Sequence, residues 1–291
     1  MVKIIPKISI IMNCYNGEEY LKESLESILA QSYLNWELIF FDNSSNDNSK
    51  KIFRSFKDKR FKYFFSYKLL SLYNARNAAL EKTKGDYISF LDVDDIWKKN
   101  KLKIQLKKIN QTKTDFVYSN YDILKNNTFS TGFKKKQPEG FVSNFLLQHP
   151  FIPILTVFFK KKILKDNNLK FDKKYNIIGD FDLFFKLSKI VAFSYIHEPL
   201  AIYRKHSQNF SILNTNLFVK EYSFWLKQNK KILSKASIKN LEYLTSYLSV
   251  KTHIFNSKYV CAIKGFIKYP LSFNKLKLLT LFLLPKKYFN F

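Results

Sequence analysis

Gly85-Asp86-Tyr87-Ile88-Ser89-Phe90-Leu91-Asp92-Val93-Asp94-Asp95-Ile96-Trp97 is the stretch from which the rest of the chain is read. A short apolar strand, Tyr87 to Leu91, runs straight into three carboxylates, Asp92, Asp94 and Asp95. Alternation along a strand sets Asp92 and Asp94 on one side. Two like charges that close repel each other unless a cation sits between them. Mg²⁺ or Mn²⁺, a hard ion with oxygen ligands, is the natural counter-charge and usually shares its open positions with substrate phosphates. In an open α/β sheet, ligands bind outside the carboxyl ends of strands, where these acids fall. The plainer alternative is a solvated acidic turn capping the next helix. Acids placed directly behind a buried strand favour the metal site.

Outward from this stretch, strands and helices alternate. Upstream, Ile8 to Met12 reads as a buried first strand, closed by the turn signal Asn16-Gly17. Leu21, Leu25, Ile28 and Leu29 give an amphipathic helix over Glu18 to Gln31, with Glu18 and Glu19 at its positive end. Trp36 to Phe41 is a second strand, followed by the polar cluster Asp42 to Asp47. A helix over Ser49 to Phe56, a strand over Phe61 to Phe65 and a helix over Tyr73 to Lys82 come next, with Gly85 as the last helix's C-cap. Downstream lie a helix over Asn100 to Ile109 and a strand over Asp115 to Ser119. This alternation predicts an α/β fold: a mostly parallel sheet flanked by helices, with right-handed crossovers. Residues 120–151 look less regular and read as loops and short strands. Thr156 to Lys160 reads as a strand, Asp180 to Ile190 as a helix, and Ala192 to Ile196 and Pro199 to Tyr203 as two short extended pieces. After Ser211 the pattern becomes helical, which divides the chain into residues 1–212 and a C-terminal helical appendage, 213–291.

Composition narrows the function. Hydrophobic residues are 46% of the 291, enough for a sizeable core. Two cysteines, Cys14 and Cys261, form no paired motif, which argues against a disulfide framework or a zinc ribbon. A net charge of +27 points to an anionic partner, although the lysines are spread through the chain. With six glycines and neither G-x-G-x-x-G nor G-x-x-x-x-G-K-[ST], a bound nucleotide has no Gly-rich phosphate loop to rely on. The acid cluster and its metal would have to neutralise the phosphates instead.

Several separated pieces resemble one family, the family 2 inverting glycosyltransferases with a GT-A, Rossmann-like fold. They are Ile8-Ser9-Ile10-Ile11-Met12-Asn13-Cys14-Tyr15-Asn16-Gly17, Leu29-Ala30-Gln31-Ser32-Tyr33, Asp42-Asn43-Ser44-Ser45-Asn46-Asp47, Ala75-Arg76-Asn77-Ala78, Phe90-Leu91-Asp92-Val93-Asp94-Asp95, Gly179-Asp180-Phe181-Asp182-Leu183 and Tyr203-Arg204-Lys205-His206. Their order and spacing cover roughly residues 7 to 210.

The resemblance implies a role for each matching residue. Tyr15 stacks on the nucleotide base, and the main chain around Asn13 lies against it. Asp42 and Asn43 contact the base; the family usually has two Asp here, and an Asn can still bond a uracil edge. Arg76 faces the diphosphate, a task its planar fork suits. Asp92 holds the ribose or a metal water, Asp94 binds Mn²⁺ or Mg²⁺ directly, and His206 reaches the metal or diphosphate unless it is a plain surface histidine. Asp180 is the general base for the acceptor hydroxyl; Gly179 stands where the family often has Glu. An Asp at the start of a helix is also a favoured N-cap. Asp182, two positions on, points to the acceptor side or solvent; Trp97 belongs to the core, Asp47 caps a helix and His149 has no assigned role.

The expected function is therefore metal-dependent inverting hexosyl transfer from a nucleotide-sugar donor, a UDP-sugar, to a hydroxyl of a glycan or lipid-linked glycan acceptor in polysaccharide biosynthesis. Two rivals are a catalytically inactive relative that only binds nucleotide sugar and a basic nucleic-acid-binding protein. The second lacks any RNP, KH or C₂H₂ pattern and carries acids where a polyanion would be repelled. The apolar run Leu276 to Leu284, flanked by Lys275, Lys277, Lys286 and Lys287, is too short to span a bilayer. It suits either packing on protein or peripheral binding to an anionic membrane surface. The membrane reading places a cytoplasmic enzyme on the inner face of the cell membrane.

Overall fold

The computed structural model describes residues 5–149, 152–270 and 273–283. It divides into two compact units at His206/Ser207, with Leu147–His149 belonging to the second. The strands of the first unit are β1 (Ile8–Cys14), β2 (Trp36–Asp42), β3 (Phe61–Phe65), β4 (Tyr87–Phe90), β5 (Ile96–Trp97), β6 (Phe116–Lys125), β7 (Thr128–Thr131), β8 (Phe158–Lys160) and β9 (Phe193–Arg204). Its helices are α1 (Leu21–Leu29), α2 (Ser49–Ser55), α3 (Leu72–Glu81), α4 (Lys101–Thr112), α5 (Ser143–Leu146), α6 (Lys162–Asp166) and α7 (Gly179–Ser188). The second unit holds α8 (Phe210–Leu213), α9 (Thr215–Asn229), α10 (Lys235–Phe255), α11 (Tyr259–Lys268) and α12 (Phe273–Leu283).

One sheet runs β3-β2-β1-β4-β8-β6-β9-β5, with β7 paired to β6. β3, β2, β1 and β4 are mutually parallel, and β6 is parallel to β9. β1 and β2 are buried almost along their whole length, as parallel strands covered on both faces must be. Leu21, Leu25 and Ile28 of α1 share a core with Ile8, Ile10 and Met12 of β1, so the helical period read in the sequence is the packed face.

Four local expectations are corrected and one is given its extent. Glu18 and Glu19 precede α1 rather than open it; the Glu18 carboxylate accepts from Asn48 N at 2.8 Å and Nδ2 at 2.6 Å. Gly85 does not cap α3, whose C-cap is Lys82. A Cβ on Gly85 would fall 2.6 Å from Ser9 N and 2.8 Å from Lys7 O, so close approach to β1 requires glycine there. β4 ends at Phe90, and Asp92 to Asp95 form a turn closed by Asp95 N–H to Asp92 O at 3.2 Å, so strand alternation does not set these acids. The short strands read after Asn120 take this form: β6 continues to Lys125 and returns through Asn126 and Asn127, both left-handed, into β7. The two extended pieces after α7 are one strand, β9, whose register against β6 shifts around Asn120, opposite Pro199. An irregularity tolerates the missing proline N–H.

Two pairings position the site. β8 runs antiparallel between β4 and β6. The two-residue β5 pairs antiparallel with β9, Ile96 opposite Ile202 and Trp97 opposite Ala201. That pairing carries the Asp92–Asp95 turn to the end of β9. Trp97 is core, as expected, and its Nε1–H donates to Leu155 O at 3.1 Å.

Candidate active site

The ends of β1 and β2 form one side. Tyr15, just past β1, is half exposed, at 53%. Both amide atoms of Asn13 are buried without a hydrogen-bond partner among the described residues, a situation that usually has a functional explanation. Burial pushes the Cys14 thiol up to about 11, so it packs as a neutral group. Asp42 is fully buried; Oδ1 accepts from Ser45 N at 2.9 Å and Oδ2 from the Tyr63 hydroxyl at 2.6 Å. Burial, then this bond, raise the Tyr63 pKa far above its ordinary value. Asp47 Oδ1 accepts from Ser49 N at 2.9 Å at the start of α2.

Asn43 explains its own departure from the family pattern. Its Nδ2 donates to Leu70 O and its Oδ1 accepts from Leu70 N, both at 2.9 Å. A carboxylate could satisfy only the N–H and would face the carbonyl unpaired. Asn43→Asp is therefore expected to cost ~1–3 kcal/mol. Thermal melts test this: an unchanged Tm would mean that the amide pairing contributes nothing.

The second side joins α3 to α7. Arg76 is buried; its Nη2 lies 3.0 Å from Asp92 Oδ1 and 3.3 Å from Oδ2. Burial works against its charge, but Asp92, Tyr73 and Asp180 hold its pKa above the ordinary value. Asn77 pins the segment before α7 by pairing with both Phe171 O (2.8 Å) and Phe171 N (3.1 Å). Asp180 is not an N-cap; Ile178 is. Asp180 lies in the first turn, and its Oδ1 accepts from Phe181 N at 2.8 Å and from the Tyr73 hydroxyl at 3.1 Å. Burial raises its pKa, against the opposing effects of Arg76 and these two bonds. Asp182 does not face solvent: it is buried and paired with Lys186 Nζ at 2.6 Å.

Gly179 also has a local reason. A Cβ there would sit 2.5–2.8 Å from the Tyr73 ring. The ring, 1% exposed and stacked on Phe171, occupies the space a side chain at 179 would need. Sequence reasoning missed Tyr73, taking it only as a helix start. The available signal was the glycine beside Asp180, which announces something bulky opposite.

The third side is the Asp92–Asp95 turn against the end of β9. Asp94 Oδ2 lies 3.1 Å from His206 Nε2, and the His206 ring lies 4.7 Å from that of Tyr20. Arg204, in the late Tyr-Arg-x-His piece, has a role that the motif alone does not show. Its N–H donates to Asp95 Oδ1 at 2.9 Å, its Nε–H to Asp94 O at 3.0 Å, and its Nη2 bonds Glu23. Burial first, then Asp94 and Asp92, raise the Asp95 pKa well above the carboxylate range, and Asp95 serves to fix the turn. Among the described residues no three or more His, Cys, Asp or Glu side chains gather around one metal position. Asp92, expected as a shared ligand, is turned to Arg76. The Asp94–His206 pair offers one carboxylate and one imidazole, a donor set that fits Mn²⁺ or Mg²⁺ when phosphate oxygens and water complete the shell.

The model of "Glycosyl transferase family 2" matches residues 9–186. The chain is 32% identical over 256 residues to the UDP-Glc:alpha-D-GlcNAc-diphosphoundecaprenol beta-1,3-glucosyltransferase WfgD of Escherichia coli, covering 86% of this chain and 96% of that one. It is 32% identical over 274 residues to an uncharacterized glycosyltransferase of Haemophilus influenzae, covering 91% and 98%. Among solved structures, S. aureus TarS with UDP-GlcNAc superposes with a TM-score of 0.64 at 17% identity, over 89% of this chain and 79% of that one. The Pyrobaculum calidifontis mannosyltransferase PcManGT with GDP-Man and Mn²⁺ gives 0.62 at 14%, over 98% and 83%. These two carry the fold alone. The chain belongs to glycosyl transferase family 2 and is a glycosyltransferase.

Proposed function

We propose that this chain transfers a hexosyl group, with inversion, from a UDP-sugar to a hydroxyl of a lipid-linked glycan. The observation that carries the reading is two bonded pairs, Tyr73–Asp180 and Arg76–Asp92, coupled by the charge of Arg76 acting on Asp180, with the Asp94–His206 pair in the turn that holds Asp92. It sets a buried base on one side and a cation with an acid-and-imidazole pair on the other. The relative WfgD, by its name, makes a β-linkage from UDP-Glc onto a diphosphoundecaprenol-linked GlcNAc. We take the same donor and acceptor classes for this chain.

In this reading Tyr15 and the Asn13 amide meet the nucleotide. Asp42 and Asn43, whose side chains brace Ser45, Tyr63 and Leu70, shape the base pocket rather than read the base with free groups. Arg76, held by Asp92, presents a fixed positive charge to the diphosphate. Asp94 and His206 would hold Mn²⁺ or Mg²⁺, which supplies Lewis-acid stabilisation of the leaving diphosphate. Asp180 accepts the proton as the acceptor hydroxyl attacks the anomeric carbon from the face opposite the diphosphate. The new glycosidic bond forms as the C1–O bond to UDP breaks, which inverts the anomeric centre. The test is incubation with UDP-sugars and a polyprenyl-diphosphate-linked GlcNAc. No product with any UDP-sugar, but product from GDP-mannose, would discard the uridine reading.

Asp180 works only when ionised. Its raised pKa places the acid limb of kcat/KM above the ordinary Asp range, and activity falls as pH drops through it. The Tyr73 bond opposes that rise. Tyr73→Phe keeps the ring against Gly179 and should move the acid limb to higher pH, because a bond that favours the ionised carboxylate is lost. An unmoved limb with lowered activity would assign Tyr73 to packing alone.

A further inference from the structure

We propose that the outward face of α11, together with the exposed leucines of α12, docks on an anionic lipid bilayer. This goes beyond the transfer reading and does not depend on it. α11 is apolar on two sides. Its inward side is accounted for: Ala262 is fully buried in a cluster with Val250 and Ile254 of α10, Tyr269, and Leu278 of α12, with Phe266 packed against it. Gly265 lets α11 come close to α10, since a Cβ there would meet Val250 Cγ2 at 2.7 Å. The other side carries Val260, Ile263 and Ile267 at i, i+3 and i+7, 68%, 48% and 70% exposed. Lys264 and Lys268, both exposed, each follow the stripe by one position. α12 is divided the same way: Leu278 is fully buried, while Leu276 and Leu279 are 57% and 41% exposed.

This alters the expectation for the C-terminus. The Leu276–Leu284 run is not a free apolar tail, because Leu278 packs inward with Leu281 and Phe282 against the same cluster. Lys275 is not a rim charge either; its ammonium bonds Tyr269 O at 2.6 Å, past the end of α11. Leu284, Lys286 and Lys287 lie outside the described residues. Among the described residues of α11 and α12 the most exposed apolar side chains, Val260 and Ile267, are on α11, which the sequence reading did not single out.

Scattered apolar side chains on a surface are ordinary, but a helical stripe of them edged with cations marks an interfacial helix. Charge selects the occupant. After Glu242 the sequence contains eight lysines and no Asp or Glu through Phe291. A second copy would bring the same lysines to this face and be repelled, whereas anionic headgroups attract them. No helix among the described residues is long and apolar enough to cross a membrane. Ten residues of α11 would therefore lie in the interface plane, with lysines at headgroup level.

Vesicle flotation of the full chain tests this. The protein should float with phosphatidylglycerol vesicles at low salt and far less with phosphatidylcholine. Ile263→Asp with Ile267→Asp should lower the bound fraction at least ~10-fold, since each residue withdraws a large apolar side chain. Lys264→Glu with Lys268→Glu should abolish the preference for phosphatidylglycerol. All four side chains face solvent, so thermal melts should match the parent protein. Failure of the parent to float, or flotation of the isoleucine variant equal to it, overturns the proposal. So does a dimer in light scattering that the isoleucine variant dissolves, which would give this face to a second copy. Flotation needs no turnover, so its failure is distinct from failure of the transfer reading.

Discussion

Asp180→Asn is expected to keep donor affinity and to lower turnover by at least ~10²-fold, the usual scale for losing a general base. The side chain sits in the first turn of α7, buried beside Tyr73 and within the field of Arg76. Asn has the same size and keeps an oxygen for the Tyr73 hydroxyl and the Phe181 N–H, so the turn stays in place. It cannot take a proton at pH 7. The uncharged amide also leaves Arg76 paired to Asp92, so diphosphate binding is preserved. Steady-state kinetics with the true acceptor and calorimetry with UDP separate the two effects. A drop of less than tenfold would leave Asp180 as a structural acid. A parallel loss of donor affinity would mean that it holds Arg76 rather than the acceptor.

Asp94→Ala is expected to remove metal-dependent UDP binding and to lower transfer by at least ~10²-fold, because Lewis-acid stabilisation of the leaving group is worth several kcal/mol. The fold should persist. Arg204 Nε–H bonds the Asp94 main-chain carbonyl, which the substitution keeps, and Asp95 holds the Arg204 N–H independently. His206→Ala should give a weaker version of the same loss, since one imidazole leaves the carboxylate and phosphate oxygens in place. Calorimetry of UDP with and without Mn²⁺ decides the matter. If Asp94→Ala binds UDP with an undiminished response to Mn²⁺, the metal is held elsewhere and Asp94 only orients His206.

The sequence alone determined the parallel half of the sheet. β1, β2 and β3 carry apolar runs bounded by turn residues, and α1 carries a clean 3.6-residue period, so each could be read within about ten residues. The strand-end position of the acids and the spacing of the family motifs were legible for the same reason. Only the tertiary structure decided how these pieces meet. β5 has two residues, too few to show any period, yet its pairing with β9 sets Asp94 beside His206, 112 positions away. β8 is apolar on both faces, and such a run gives no sign of its direction; it proves antiparallel. Tyr73 and Asp180 are 107 positions apart, and their bond depends on how α3 and α7 pack, with Gly179 leaving room for the ring. Local sequence sets which face of an element is apolar. Which elements become neighbours, and hence which charged groups converge, is settled by long-range packing that no local window contains.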